Sequence, residues 1–249
     1  MKLWALLVAS FLICLPLAAQ DSDDEPVRGP DGGTHYFVEG ISVLPLPGKP
    51  FSGRSTTEWT RTLEDGTVVS THLFTVVARD SQGRIYREGH KFVPADSNEK
   101  SRLIRFKISD PSAHTRTTCY VATHRCEVTE YRAPTSFVPR PPGPFDNGKR
   151  VLTRESLGND VTDGVNVIGS RETVTINAGV VGNSQPLVTT REFWYSPDLQ
   201  VNLSITRKDP REGTQVIRVS DISRSDPDPA LFKVPDGYVV EGAKPKANN

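Results

Sequence analysis

Two cysteines, Cys119 and Cys126, bracket His124 in the stretch TTCYVATHRCEVTEY (117–131), with His114 just upstream. Thiolates and imidazoles are the ligands of zinc and the working groups of redox catalysts, so the stretch could be a metal site, a redox pair or a cross-link. A zinc knuckle uses C-x2-4-C plus two further ligands, and a redox dithiol uses C-x-x-C at a helix start. The spacing here is C-x6-C. A hairpin centred on Ala122-Thr123 sets 119 opposite 126, 120 opposite 125 and 118 opposite 127, with opposed Cα atoms about 4.5–5.5 Å apart. Cys119, Val121, Cys126 and Val128 then share one face, and Thr118, Tyr120, Arg125 and Glu127 the other. In an exported chain that pair is expected to be a disulfide, with metal or other roles as lesser alternatives.

No other stretch concentrates chemistry. His35, His72, His90, His114 and His124 show no H-E-x-x-H or comparable ligand spacing. There is no G-x-S-x-G elbow and no phosphate-cradling glycine loop. The densest charged stretch, Arg79-Asp80-Ser81-Gln82-Gly83-Arg84 followed by Arg87-Glu88, fits a solvated turn with cross-strand ion pairs. It is also the candidate partner-binding tip, through Arg79, Asp80, Arg84 and Arg87. Trp59, Phe74, Phe106 and Trp194 are the aromatic residues that could line an apolar ligand site, although packing in a core is the commoner role of such side chains. The sequon Asn202-Leu203-Ser204 falls mid-strand and matters only in a eukaryotic secretory path. These readings assign no catalytic residue, no metal ligand and no cofactor.

The opening MKLWALLVASFLICLPLAAQ has Lys2, an apolar run from Leu3 to Leu15, Pro16 and the small residues Ala18 and Ala19. That is the anatomy of a signal peptide cleaved after Ala19 or Gln20, and about thirteen apolar residues are too few to span a bilayer. Cys14 sits inside the apolar run, without the small residue before it that a lipid anchor needs. The chain carries 30 Lys and Arg against 30 Asp and Glu. That balance gives no bulk electrostatic case for nucleic acid or an anionic membrane surface. The mature chain is expected to be secreted or periplasmic, with no transmembrane segment.

The elements that must position these residues read as strands. Glu64-Asp65-Gly66-Thr67, Asp80-Ser81-Gln82-Gly83, Asp110-Pro111, Ser196-Pro197-Asp198 and Asp209-Pro210-Arg211-Glu212-Gly213 are turns between short β-rich runs. Ile104, Phe106 and Ile108 alternate with Leu103, Arg105 and Lys107, and Val201, Leu203 and Ile205 with Gln200, Asn202, Ser204 and Thr206. Each pattern implies one buried face. Phe74-Thr75-Val76-Val77-Ala78 is apolar on both faces and must be covered twice. The expected fold is mainly β: a curved antiparallel sheet, a half-barrel-like meander of about ten strands with few short helices. Residues 20–33 form an acidic linker expected to be disordered, 34–242 a single domain interrupted by the Pro-rich loop 133–148, and 243–249 a disordered tail.

The phrases TLEDGT (62–67), ARDSQGRIYRE (78–88), FKISDP (106–111), RETVTINAGVVGNSQPL (171–187), EFWYSPDLQ (192–200) and KDPREGTQVIRVSDISRSDPDPALFKVPDGYVV (208–240) together resemble an uncharacterised family of secreted proteins common in Acidobacteria. The closing pattern, with Leu231-Phe232, Pro235 and Gly237-Tyr238, is similar to the end of LolA- and RseB-like periplasmic half-barrels. The second resemblance implies a concave sheet that receives lipid acyl chains or a protein partner. The chain lacks the long helices that would fill such a half-barrel. The expected function is an exported, non-enzymatic binding protein of the cell envelope holding an apolar small molecule, lipid or lipoprotein. The alternatives are an interaction or signalling module that meets an envelope protein through hairpin tips or a sheet edge, and an envelope hydrolase with a dispersed site.

Overall fold

The computed structural model describes residues 27–28, 35–36, 40–134 and 139–242. The expected signal peptide, most of the acidic linker and the tail lie outside the described residues. Two short strands, β1 (Val27–Arg28) and β2 (His35–Tyr36), pair with each other. All the other strands join one large, open, mostly antiparallel sheet.

On one side of the Pro-rich segment lie β3 (Phe51–Thr62), β4 (Val68–Arg79), β5 (Ile85–His90), β6 (Val93–Pro94), β7 (Leu103–Asp110), β8 (Thr115–Tyr120) and β9 (Arg125–Glu130). On the other lie β10 (Gly143–Phe145), β11 (Arg150–Thr162), β12 (Val165–Ile176), β13 (Leu187–Ser196), β14 (Val201–Asp209), β15 (Gly213–Ser223) and β16 (Val239–Glu241). The order across the sheet is β10-β11-β12-β13-β14-β15-β3-β4-β5-β7-β8-β9-β16, with β6 added to β4. The join between the two groups is β15 on β3, running from Thr214↔Thr60 to Ser223↔Ser52. The segment from Tyr131 to Pro142 therefore leads from strand β9 near one edge to strand β10 at the other.

Directly paired residues point to the same side of a sheet, so the ladders define two faces. Phe51, Thr57, Trp59, Leu73, Val77 and Ile85 share the first face with Ile205, Ile217 and Val219. Their core also takes in Val165, Val167, Leu199, Val201 and Leu203, and Ile41 and Val43 pack into it from the chain ahead of β3. The sheet curls toward this face. Arg79 on β4 donates to the carbonyl of Leu199, in the turn after β13, at 2.6 Å. Three strand spacings, roughly 14 Å in a flat sheet, separate β4 from β14, beyond one side chain's reach. Likewise, Asp163 in the β11–β12 turn accepts from the Ile222 amide at the end of β15 at 2.7 Å.

The second face has its own core: Ala78, Tyr86, Phe106, Ile108, Cys119 and Cys126, with Val76 beside them. A strap formed by the C-terminal residues covers it. Asp228 caps a 3-10 turn, Pro229–Phe232, by accepting from the Ala230 amide at 2.9 Å. Phe232 is buried in the core, Tyr238 stands edge-on to Phe106, and β16 ends the strap by pairing in parallel with β9. So β4 is covered on both sides at Val76–Ala78, whereas Phe74, at the head of its doubly apolar run, is covered neither by the strap nor by a second layer and stays 40% exposed.

Candidate functional site

The cysteine hairpin has the register read from its sequence. Cys119 pairs with Cys126, Tyr120 with Arg125 and Thr118 with Glu127. The sulfurs are bonded, the Cα atoms are 4.0 Å apart, and neither cysteine is exposed. His114 and His124 take positive φ at the two turns flanking β8, and the His124 ring stands 5.1 Å from that of Tyr238. The pair is a staple beneath the strap rather than a reactive centre. Among the described residues, no group of three or more His, Cys, Asp or Glu side chains is placed to hold a metal.

The four charged residues near the β4–β5 turn are used by the fold. Arg79 is completely buried, and its guanidinium donates to the carbonyls of Lys49 (2.7 Å), Leu44 (2.8 Å) and Leu199 (2.6 Å). Burial without a carboxylate partner pulls its pKa down to about 10. Asp80 is also buried, accepting from the amides of Gln82 and Arg84 and from the Arg84 guanidinium at 2.6 Å. Arg84 lies over the Phe232 ring, and Arg87 donates to the Ile41 carbonyl. A tip expected to offer four side chains to a partner instead turns Arg79 and Asp80 inward. The sequence pattern of a charged turn cannot distinguish these outcomes, because the carbonyls that Arg79 binds lie 30 to 120 positions away.

The four aromatic candidates do not converge. Trp59 is on the first face, buried against Phe92, with its indole N–H on the Glu212 carbonyl at 2.7 Å. Trp194 is on β13, packed so tightly on Gly169 that a Cβ there would come within 2.7 Å of the indole. Phe74 and Phe106 share the second face. Phe106 is buried under the strap, and Phe74 is 40% exposed beyond it.

Beyond the strap, between β4 and β5, the ladder opens. The two strands pair only at Val77↔Arg87, Ala78↔Tyr86 and Arg79↔Ile85, and β6 takes over at Thr71↔Pro94. In the gap, side chains replace the missing ladder. The Val76 amide donates to Glu88 Oε2 at 3.0 Å and the Phe74 amide to Ser101 Oγ at 3.5 Å. Glu88 also accepts from Tyr86 Oη (3.2 Å) and from His90 Nε2 (2.9 Å). His90 Nδ1 faces the Ser101 carbonyl at 3.2 Å. With Nδ1 committed to donating to a carbonyl, Nε2 can donate to Glu88 only in the imidazolium form. Burial alone would lower the His90 pKa, but the Glu88 carboxylate and the Ser101 carbonyl outweigh it and raise the value. Burial would raise Glu88, yet the bonds from His90, Val76 and Tyr86 hold it below the usual carboxylate range.

The rim of this gap is apolar. Phe74 stands edge-on to His72 at 5.3 Å on the same strand, and Ile104 on β7 is 41% exposed. The second face thus continues past the strap as an uncovered apolar strip with a polar acid–imidazole floor. The sequence singled out Phe74 but not Ile104, Glu88, His90 or Ser101. The signal for the last three, an R-E-G-H run ahead of a polar loop, becomes readable only once β5 parts from β4.

No family model and no curated protein matches the chain. Among solved structures, the fold is similar to that in the MucA/MucB complex of Pseudomonas aeruginosa, with 11% identity, a TM-score of 0.37, and 74% of this chain and 55% of that one covered. A LolA superfamily protein from Nitrosomonas europaea gives 11% identity and a TM-score of 0.28 over 76% of this chain and 91% of that one. LprF from Mycobacterium bovis gives 13%, 0.30, 72% and 90%. The chain spans just over half the length of the MucB structures it matches. With TM-scores below 0.5, these likenesses carry no functional reading, which rests on the site itself.

Proposed function

We propose that the protein is an exported, non-catalytic binding protein that holds an amphiphile at the β4–β5 gap. The ligand's apolar chain lies along Phe74 and Ile104 and its polar head at His90 and Glu88. The observation that supports this is the continuation of the second-face core beyond its strap, with two large apolar side chains left in water beside a half-buried acid–imidazole pair. The concave first face is a poorer candidate, since Ile41, Val43, Phe51 and Leu203 fill it.

The test is displacement of a fluorescent fatty acid from delipidated protein, with mass spectrometry of whatever co-purifies. Phe74→Asp is expected to abolish binding while leaving the melting temperature within a few degrees, because Phe74 is already exposed. Trp194→Phe is expected to leave binding unchanged. No co-purifying amphiphile and no probe binding would sink the proposal.

One observation favours a second reading, a protein-binding module. The outward side of the β11–β12 end exposes Val161 and Ile168, and an open groove of about 460 Å³ runs along Asn159, Asn166, Ile168 and Pro197. Capture of an envelope protein that is lost on Ile168→Asp, with lipid binding intact, would support that reading instead.

A further inference from the structure

Neighbouring strands run in alternate directions, so the turns fall along two rims of the sheet. One rim carries the turns β10–β11, β12–β13, β14–β15, β3–β4 and β8–β9, the loop from β5 to β7, and the start of β16. The other carries the turns β4–β5, β7–β8, β11–β12 and β13–β14.

Exposed aliphatic side chains are divided unequally between the two. On the first rim, Leu63 and Val68 flank the β3–β4 turn, Val181 and Val188 belong to the β12–β13 loop and the strand it feeds, and Val239 and Val240 open β16. Each is between 45% and 61% exposed. The Val239 amide donates to the His124 carbonyl in the β8–β9 turn at 2.8 Å, which pins β16 at this rim. Among the described residues, the turns of the second rim expose no large apolar side chain, and their Leu199 is buried. Val161, Ile168 and Tyr195 are exposed nearer that rim, but on strands rather than at turns.

Two properties of the first rim define what can cover it. Its three apolar tips are separate. Along the sheet, four strand spacings, roughly 19 Å, part the β12–β13 loop from the β3–β4 turn, and five to six, roughly 26 Å, part that turn from β16. Charges of both signs accompany the tips in pairs: Asp146 with Arg150, Asp209 with Arg211, and Lys91 with Glu99. A protein interface buries one joined apolar patch, which these tips do not form. A fluid bilayer lets each tip sink by itself, and zwitterionic head groups accept paired charges.

We infer that this rim docks on the surface of a lipid bilayer, held by burial of its aliphatic tips among the head groups and not by net charge. Val68, Ser70, His72 and Phe74 alternate onto one side of β4, so docking sets the bilayer at the end of the strand that leads to the β4–β5 gap. Docking does not depend on the amphiphile site, and the two are read separately, one with vesicles and the other with a soluble probe.

The experiment is co-sedimentation of the full mature chain with sucrose-loaded phosphatidylcholine vesicles, with and without phosphatidylglycerol, each at low and at physiological salt. The parent is expected to sediment with phosphatidylcholine alone and to change less than about twofold with salt. Val68→Asp/Val181→Asp should lose about tenfold or more in partitioning, while binding of a fluorescent fatty acid stays at the parent's level. Val181→Asp alone, in a loop outside the ladders, and Val239→Asp should each lose several-fold. Tyr195→Ser, near the other rim, should sediment as the parent does. Thermal melting of each variant checks the fold. Parent-like sedimentation of the double variant and of Val181→Asp, or an equal loss for Tyr195→Ser, would overturn the inference. So would no sedimentation with phosphatidylcholine, or sedimentation that needs phosphatidylglycerol and vanishes at physiological salt. A parent dimer in light scattering that the double variant lacks would also overturn it, since the rim would then join two copies of the chain.

Discussion

At the curled end of the sheet, Phe51, Leu203, Ile217 and Val219 are all but excluded from water, and a guanidinium is buried among them. Along β11 and the adjoining stretches of β12 and β13, charged residues face one another across the strands. Arg171 bridges Glu155 and Glu192, and Arg154 meets Glu172, all in part-exposed positions. Both regions use the same antiparallel ladders, so backbone hydrogen bonding does not set them apart. The difference lies in what covers the strand. Where another layer lies above, only apolar side chains or fully bonded polar ones are tolerated; where water lies above, cross-strand ion pairs suffice. Stability should therefore be concentrated at the curled end, which includes Val165 and Val167 of β12, with the arm made of β10 and the ion-paired parts of β11 and β12, around 150–156 and 170–176, opening first.

The strongest way to break that contrast is Arg79→Ala. It removes a donor from the carbonyls of Lys49, Leu44 and Leu199, of which Leu44 keeps the Leu46 amide, and leaves a cavity beside Phe51, so a loss of about 3–5 kcal/mol is expected in urea unfolding. A loss below about 1 kcal/mol would show that this end relaxes freely. Next, Leu203→Ala should cost about 2–5 kcal/mol by cavity formation, while Val161→Ala, exposed on β11, stays within about 0.5 kcal/mol. Comparable losses would mean that β11 is packed there after all.

The disulfide comes third. Closing an eight-residue loop contributes about 2.5 kcal/mol on chain-entropy grounds, so the Cys119→Ser/Cys126→Ser protein should lose that amount and loosen the strap. Free-thiol titration of the exported protein should find both cysteines oxidised.

The fourth effect is smaller and depends on pH. His90 has its folded pKa raised above the ordinary 6.5, so its contribution is complete below that value and is lost as pH rises through the raised value. Glu88 has its folded pKa lowered below the ordinary 4.5, so its contribution is present above that value and lost as pH falls through the lowered one. Stability from this pair should therefore be greatest between the two and decline on the alkaline side. His90→Gln should remove the alkaline decline, and an unchanged pH profile would count against the charged pair. On the arm, Arg171→Gln is expected to leave the melting temperature unaltered in moderate salt.

Some of these features are legible in the residue pattern alone. The register of the cysteine hairpin follows from two opposed residues and a compartment. The buried faces of β7 and β14 follow from strict alternation, although Ile104, in phase with Phe106, is left in water because the strap stops short of it. The amphiphile gap is not legible in that way. Phe74 looks like any strand aromatic, and the roles of Glu88, His90 and Ser101 arise from a parting of strands that no local pattern encodes.

By itself, the sequence determined the turns that follow β3, β4, β7, β13 and β14, the apolar side of β7 and β14, and which cysteines can meet, while it implied about ten strands where the sheet has fourteen. Those properties depend on neighbours a few positions away, through alternation and turn chemistry. Only the tertiary structure decided that β15 lies on β3, that Arg79 is buried rather than offered at a tip, and that the C-terminal strap covers one half of a face and leaves the other bare. Each of these depends on contacts between distant segments. Their free energy comes from removing shared surface from water, and no single segment carries that information alone.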